Sequence, residues 1–138
     1  MIGHRMLSKE DEATVPNTED TEVRREDQEK INRFSRLHQR QTVTEEKLKG
    51  KQKDKEDLEE ISTELELADE DDLVPYKIGD SFVHLPLEEA QAHLASSTEL
   101  IDAEVAKLEE TLGDLRDEMQ ELKVALYARF GRSINLET

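Results

Sequence analysis

Four histidines, His4, His38, His84 and His93, and the acidic run Asp69, Glu70, Asp71 and Asp72 are the side chains here with the chemistry to hold a metal ion or relay a proton. Paired imidazoles bind a metal when their spacing brings both to one point, and these four show no such pairing. A calcium loop needs alternating oxygen ligands, a turn glycine and a closing glutamate, and the acidic run has none of those parts. It reads as a solvated charge run, with repulsion between wrong assemblies as a secondary role. No Gly-rich phosphate loop or serine-centred elbow is present, and the absence of cysteine removes thiolate ligands, cysteine nucleophiles and disulfides. The expectation is a chain that is not an enzyme, with no cofactor and no metal.

Charge narrows the partners. The net charge is -16, and it is unevenly placed: residues 1–20 carry 2 basic and 5 acidic groups, 21–55 carry 11 and 7, 56–72 carry 0 and 10, and 73–138 carry 6 and 13. Such a balance opposes both the phosphate backbone and anionic membranes, so neither nucleic acid nor membrane is expected as a partner. The basic side chains Arg24, Arg25, Lys30, Arg33, Arg36 and Arg40 faintly resemble the basic region of a zipper. Glu26, Asp27 and Glu29 interrupt them, which favours a solvated helix face over a DNA-binding one. No apolar run is long enough to span a bilayer, and the start of the chain lacks the apolar core of a secretory signal. A soluble cytoplasmic chain is expected, with a nuclear location left open.

The elements behind this pattern are helical. Hydrophobic residues make up 34% of the 138 positions and charged residues 39%, too little apolar material for a thick core and enough for a thin helical interface. Leu94, Thr98, Ile101, Val105, Leu108, Leu112, Leu115, Met119, Leu122 and Leu126 alternate at spacings of four and three, the seam of a coiled coil. A weaker seam runs through Phe34, Leu37, Gln41, Thr44, Leu48, Lys51, Lys55, Leu58, Ser62 and Leu65. Ile31 and Ile61 stand one position off its register, so the seam is expected to shift or broaden at both ends. Lys51 and Lys55 are expected to lay their methylene stems on the partner helix and send their ammonium groups to water. The spacing predicts one helix over 21–68, capped near Asp20 or Thr21, and another over 87–130. At about 1.5 Å per residue these are roughly 72 and 66 Å long, matched as an antiparallel pair requires. Residues 1–20, with no periodicity, read as a disordered acidic leader.

Between the helices, Val74, Tyr76 and Ile78 alternate with Pro75 and Lys77 as a strand does, Gly79-Asp80 supplies a turn, and Ser81 to Leu85 returns. Pro86 is expected in the first turn of the second helix. The fold class is thus mainly α: a long antiparallel two-helix coiled coil joined by a single β-hairpin over 74–85. Two strands cannot hide both faces and both edges, so the hairpin is expected to assemble into a shared barrel with other subunits. Tyr76, Ile78, Phe82, Val83 and Leu85 are the assembly residues, against the plainer alternative of packing on the chain's own helix ends. Folding at the hairpin brings the two chain ends together, where Ile31, Phe34 and Leu37 meet Leu126, Tyr127 and Phe130. Gly131 is placed to close the second helix with a left-handed cap, ahead of a short tail, 131–138. Ile134 and Leu136 in that tail have no evident core to enter.

The stretches EDQEKINRF at 26–34, LADEDD at 67–72, VPYKIGD at 74–80 with Phe82 following, LYARFG at 126–131 and INLE at 134–137 resemble the prefoldin family, in particular its beta-type subunits, from about residue 23 onward. The resemblance implies a cytosolic hetero-hexamer of alpha-type and beta-type subunits, built on hairpin barrels from which coiled coils hang. It implies capture of unfolded actin, tubulin and other client proteins between the arm tips without ATP, and delivery to the cytosolic chaperonin.

Within that reading, Phe34, Leu37, Leu126, Tyr127, Phe130, Ile134 and Leu136 are the client-binding candidates, because exposed apolar surface binds the apolar surface that unfolded chains expose. Heptad position favours simple seam packing for Phe34, Leu37 and Leu126, whereas the other four divide evenly. The alternative function is a non-chaperone coiled-coil scaffold or adaptor.

Overall fold

The computed structural model describes residues 22–136; the leader and the last two residues lie outside them. In chain order the elements are helix α1 (Arg25–Glu66), strands β1 (Leu73–Ile78) and β2 (Ser81–Pro86), helix α2 (Leu87–Phe130) and a 3-10 turn (Gly131–Ser133). The described residues form two compact units, 22–45 with 110–136, and Glu46–Glu109.

Helix α1 begins at Arg25, inside the expected start, because the Asp27 carboxylate reaches back to accept the Arg24 amide at 2.9 Å and so satisfies a donor that the first turn leaves unpaired. The first helical bond, Gln28 N to the Arg24 carbonyl, is 3.0 Å. At its other end α1 stops at Glu66 rather than at residue 68. The Leu67 and Ala68 amides bond to the carbonyls of Glu64 and Leu65, each at 3.2 Å, a tightened turn that ends the ladder well before Pro75. The acidic run then closes on itself, with the Asp72 amide 3.0 Å from the Asp69 carbonyl, and its four side chains are exposed.

In the first unit the seam is densely apolar. Ile31, Phe34, Leu37, Leu115, Met119, Leu126 and Phe130 are buried together with Ile134 and Leu136, and Leu122 and Tyr127 pack on them half-buried. Each fully buried side chain of this size contributes about 1.5–3 kcal/mol. Ile31 is 1% exposed, so the seam broadens at that end as expected. Thr44 fills a seam position by donating its hydroxyl to the Arg40 carbonyl at 2.7 Å. Arg33 clamps Glu118 through two bonds, of 2.6 and 2.9 Å, while Arg116 approaches Glu45 at 3.7 Å. Partners fall in number on α2 as they rise on α1, which makes the two segments antiparallel.

In the second unit Leu65, Leu87, Ala90 and Leu94 are buried, with Leu58, Ala68, Val74, Tyr76 and Leu85 packed against them. Ile61 is 39% exposed, so no broadening occurs there. Lys51 and Lys55 are half-buried, and at the partly exposed flank of the seam their ammonium groups also meet carboxylates: Lys51 pairs with Glu104, and Lys55 with Asp102 at 2.8 Å. Each carboxylate raises the pKa of its lysine above the ordinary value. A polar seam position beside a facing carboxylate becomes an ion pair flanking the seam.

The strands pair antiparallel from Leu73 opposite Pro86 to Ile78 opposite Ser81. Gly79 has φ +60 and Asp80 keeps a negative φ, the two-residue turn that needs glycine at its first central position. Counting outward from that turn, Ile78/Ser81, Tyr76/Val83 and Val74/Leu85 exchange the ladder bonds, while Pro75, His84, Leu73 and Pro86 stand at the alternate pairs. Pro86 therefore closes β2 instead of opening α2. Neither it nor Pro75 costs the hairpin a ladder bond, because both point their nitrogens outward.

Candidate functional site

The hairpin has two unlike faces. Val74, Tyr76 and Leu85 pack on the helix ends, Val83 beside them is half-buried, and the Tyr76 ring lies 5.5 Å from the His93 ring. Leu73, Pro75, Lys77, Phe82, His84 and Pro86 form the opposite, exposed face, with Phe82 at 69% and Leu73 at 62% exposure. Of the predicted assembly residues, Tyr76 and Leu85 are thus tied to their own helix ends, and Phe82 alone stands out on the exposed face. The side chain of Ile78 lies outside the described residues. Neither long edge of this two-stranded sheet has a strand partner among the described residues.

The client-binding candidates converge in the first unit, and they are covered. Phe34, Leu37, Leu126, Phe130, Ile134 and Leu136 are each 3% exposed or less, and Tyr127 is half-buried. The tail does find a core. Gly131 takes φ +57, the left-handed cap that lets the chain leave the helix sharply, and Ser133 donates its hydroxyl to the Phe130 carbonyl at 2.7 Å. The turned chain brings Ile134 and Leu136 into the same buried cluster as Ile31 and Phe34, and the Leu136 amide donates to the Tyr127 hydroxyl at 3.2 Å. The expectation that these two lack a core fails because a helix cap can redirect a short tail onto the helices it has just left.

Asp27 and Arg129 border this cluster, and sequence reasoning assigned them no site. Arg129 Nε donates to Asp27 Oδ1 at 3.1 Å and Nη2 to Oδ2 at 2.7 Å, and Nη2 also donates to the Glu22 carbonyl at 2.8 Å. The Arg129 guanidinium holds the Asp27 carboxyl below the usual carboxylate range, against the opposing effect of burial, with the Arg24 amide assisting. Arg33 lowers Glu118 in the same way. A signal was available: Asp27 stands seven residues before Phe34, on the same seam, where a lone carboxylate needs a cation from the other helix.

Among the described residues no group of three or more His, Asp or Glu side chains is placed to hold a metal. No helix among them is long and apolar enough to cross a membrane.

Known proteins align with most of this chain. The family model described as "Prefoldin subunit" matches residues 28–133. Prefoldin subunit 4 of Saccharomyces cerevisiae is 40% identical over 117 residues, covering 85% of this chain and 91% of that protein. Prefoldin subunit 4 of Homo sapiens is 40% identical over 120 residues, 86% of this chain and 90% of the relative. Among solved structures, the prefoldin beta subunit from Thermococcus strain KS-1 superposes with a TM-score of 0.73 at 16% identity, covering 80% of this chain and 97% of that one, a likeness of fold.

Proposed function

Because this chain belongs to the prefoldin subunit family, whose members are chaperone subunits and not enzymes, we propose that it works as a beta-type subunit of a prefoldin co-chaperone. It assembles with other prefoldin subunits, alpha-type and beta-type, in a hetero-hexamer. That complex binds unfolded client proteins, actin and tubulin among them, without ATP and delivers them to the cytosolic chaperonin in the cytoplasm, with the nucleus as an open second location. The observation that carries assembly is the hairpin, whose exposed face bears Phe82 and Leu73 and whose edges have no strand partner among the described residues. Joining edge to edge with neighbouring hairpins satisfies those backbone groups and covers the apolar side chains. Client capture is assigned to the apolar cluster of Phe34, Leu37, Leu126, Tyr127, Phe130, Ile134 and Leu136.

The burial of six of those seven side chains favours a second reading, a scaffold that joins proteins without holding clients. Reassembly with partner subunits separates the two. The complex should suppress aggregation of a denatured client at near-stoichiometric amounts with no nucleotide present. A correctly assembled complex that gives no protection would leave the scaffold.

A further inference from the structure

The tail beyond the 3-10 turn has the form of a bound peptide. Ile134 is extended, with φ −118 and ψ 139, and side chains two residues apart on an extended chain share a face. Accordingly Ile134 and Leu136 are both buried in the apolar cluster, while Asn135 between them is exposed. The Leu136 amide is held by the Tyr127 hydroxyl. The chain fills its own cluster with an apolar-polar-apolar segment whose backbone N–H is read by a tyrosine.

We infer that this seat is a peptide-binding site closed by residues 131–136 as a removable strap, and that it takes an extended segment of unfolded protein with branched apolar side chains two residues apart. The inference rests on the client-capture reading and specifies it: a client's apolar pair replaces Ile134 and Leu136, and its backbone N–H replaces that of Leu136 on Tyr127. Selectivity is broad, because apolar burial is not directional and every non-proline residue offers an N–H. The strap is suited to exchange. Burial of the Ile134 and Leu136 side chains and hydrogen bonds such as that of the Leu136 amide to Tyr127 oppose the ordering of a short backbone segment, contributions of comparable size. Gly131, free of a Cβ at φ +57, is its swivel. Leu37, Leu115 and Met119 lie in the same cluster on the helices themselves and hold them together when the strap leaves.

The test uses the subunit reassembled with its prefoldin partners and a fluorescein-labelled peptide repeating residues 132–138, RSINLET. Ile134→Ser with Leu136→Ser should tighten peptide binding about tenfold, as expected when a competitor that keeps the site mostly closed is removed. Adding Tyr127→Phe, which keeps the ring, should weaken it again by about fivefold, the worth of one hydrogen bond. A control peptide with serine in place of its Ile and Leu should not bind. In the wild-type complex, denatured client should speed hydrogen exchange at the Leu136 amide. Equal peptide affinity with and without the strap substitutions, or Leu136 exchange unchanged by a client that is demonstrably held, overturns the strap and leaves client capture standing. A wild-type complex that holds no client overturns the capture reading, while peptide binding to the strap variant still scores the site.

Discussion

Arg129, in the last turn of α2, grips Asp27, in the first turn of α1, through two parallel hydrogen bonds, and the side chain of Asp27 is 4% exposed. A carboxylate so nearly removed from water is stable only with its cation in place. The same carboxylate accepts the Arg24 amide, so one side chain starts a helix and ties its start to the end of another.

Asp27→Asn should therefore lower stability at neutral pH by about 2 kcal/mol, the size of hydrogen bonds to a charged group. The folded carboxyl lies below its ordinary value, so the contribution is complete above the unfolded carboxylate pKa of about 4 and is lost as pH falls through the lower folded value. Urea unfolding at neutral and at acid pH should show the difference between variant and wild type shrinking in acid. A constant difference would remove the ion pair as its cause.

Gln41 occupies a seam position beside Phe34 and Met119, on a groove of about 180 Å³. Gln41→Leu should add about 1 kcal/mol by turning that half-buried amide into apolar contact. A rise in urea midpoint with the slope unchanged is the expected signature; no rise would mean that the groove cannot accept the branch.

Gly50 and Gly113 sit inside helices, and a Cβ at either would meet nothing within 4 Å. Gly50→Ala and Gly113→Ala should each stabilise the helix by about 0.5–1 kcal/mol. Local amide exchange should slow around each position. Exchange that does not change would argue against either glycine being a soft point in its helix.

Phe82→Ser and Tyr76→Ser should part company. Phe82 is exposed in the single chain, so its replacement should leave the subunit's own melting nearly unchanged yet weaken its incorporation into the complex by native mass spectrometry. Tyr76 packs on the helix ends, and its replacement should lower the melting temperature of the isolated subunit. Normal incorporation of the Phe82 variant would count against assembly through the exposed face.

Much of the fold could be read residue by residue. Every seam position from Phe34 to Leu65 and from Leu94 to Leu126 is buried or half-buried, including the polar Gln41, Lys51 and Lys55. The four-three spacing specifies a helix face whatever stands on it, and the partner helix then finds that face. Gly79 and Gly131 were legible for a similar reason, since both hold a φ that other residues adopt only at a cost. The errors lie where a contact joins distant parts of the chain. Pro86 belongs to β2 through its pairing with Leu73, and Lys51 and Lys55 find carboxylates that no local pattern announces.

The sequence by itself determined two helices with facing seams, a hairpin with glycine at its turn, and a family. The helices and the hairpin follow from periodicity and from the narrow conformational range of a few residues, which act within a turn or two of chain, while the family follows from the resemblance of stretches such as LYARFG at 126–131. Only the tertiary structure decided that Ile134 and Leu136 are covered and that Asp27 is clasped by Arg129. Both depend on residues far apart in sequence, or past a helix end, meeting in one enclosed space. There burial is set by what else arrives, and no residue type or spacing reports it alone.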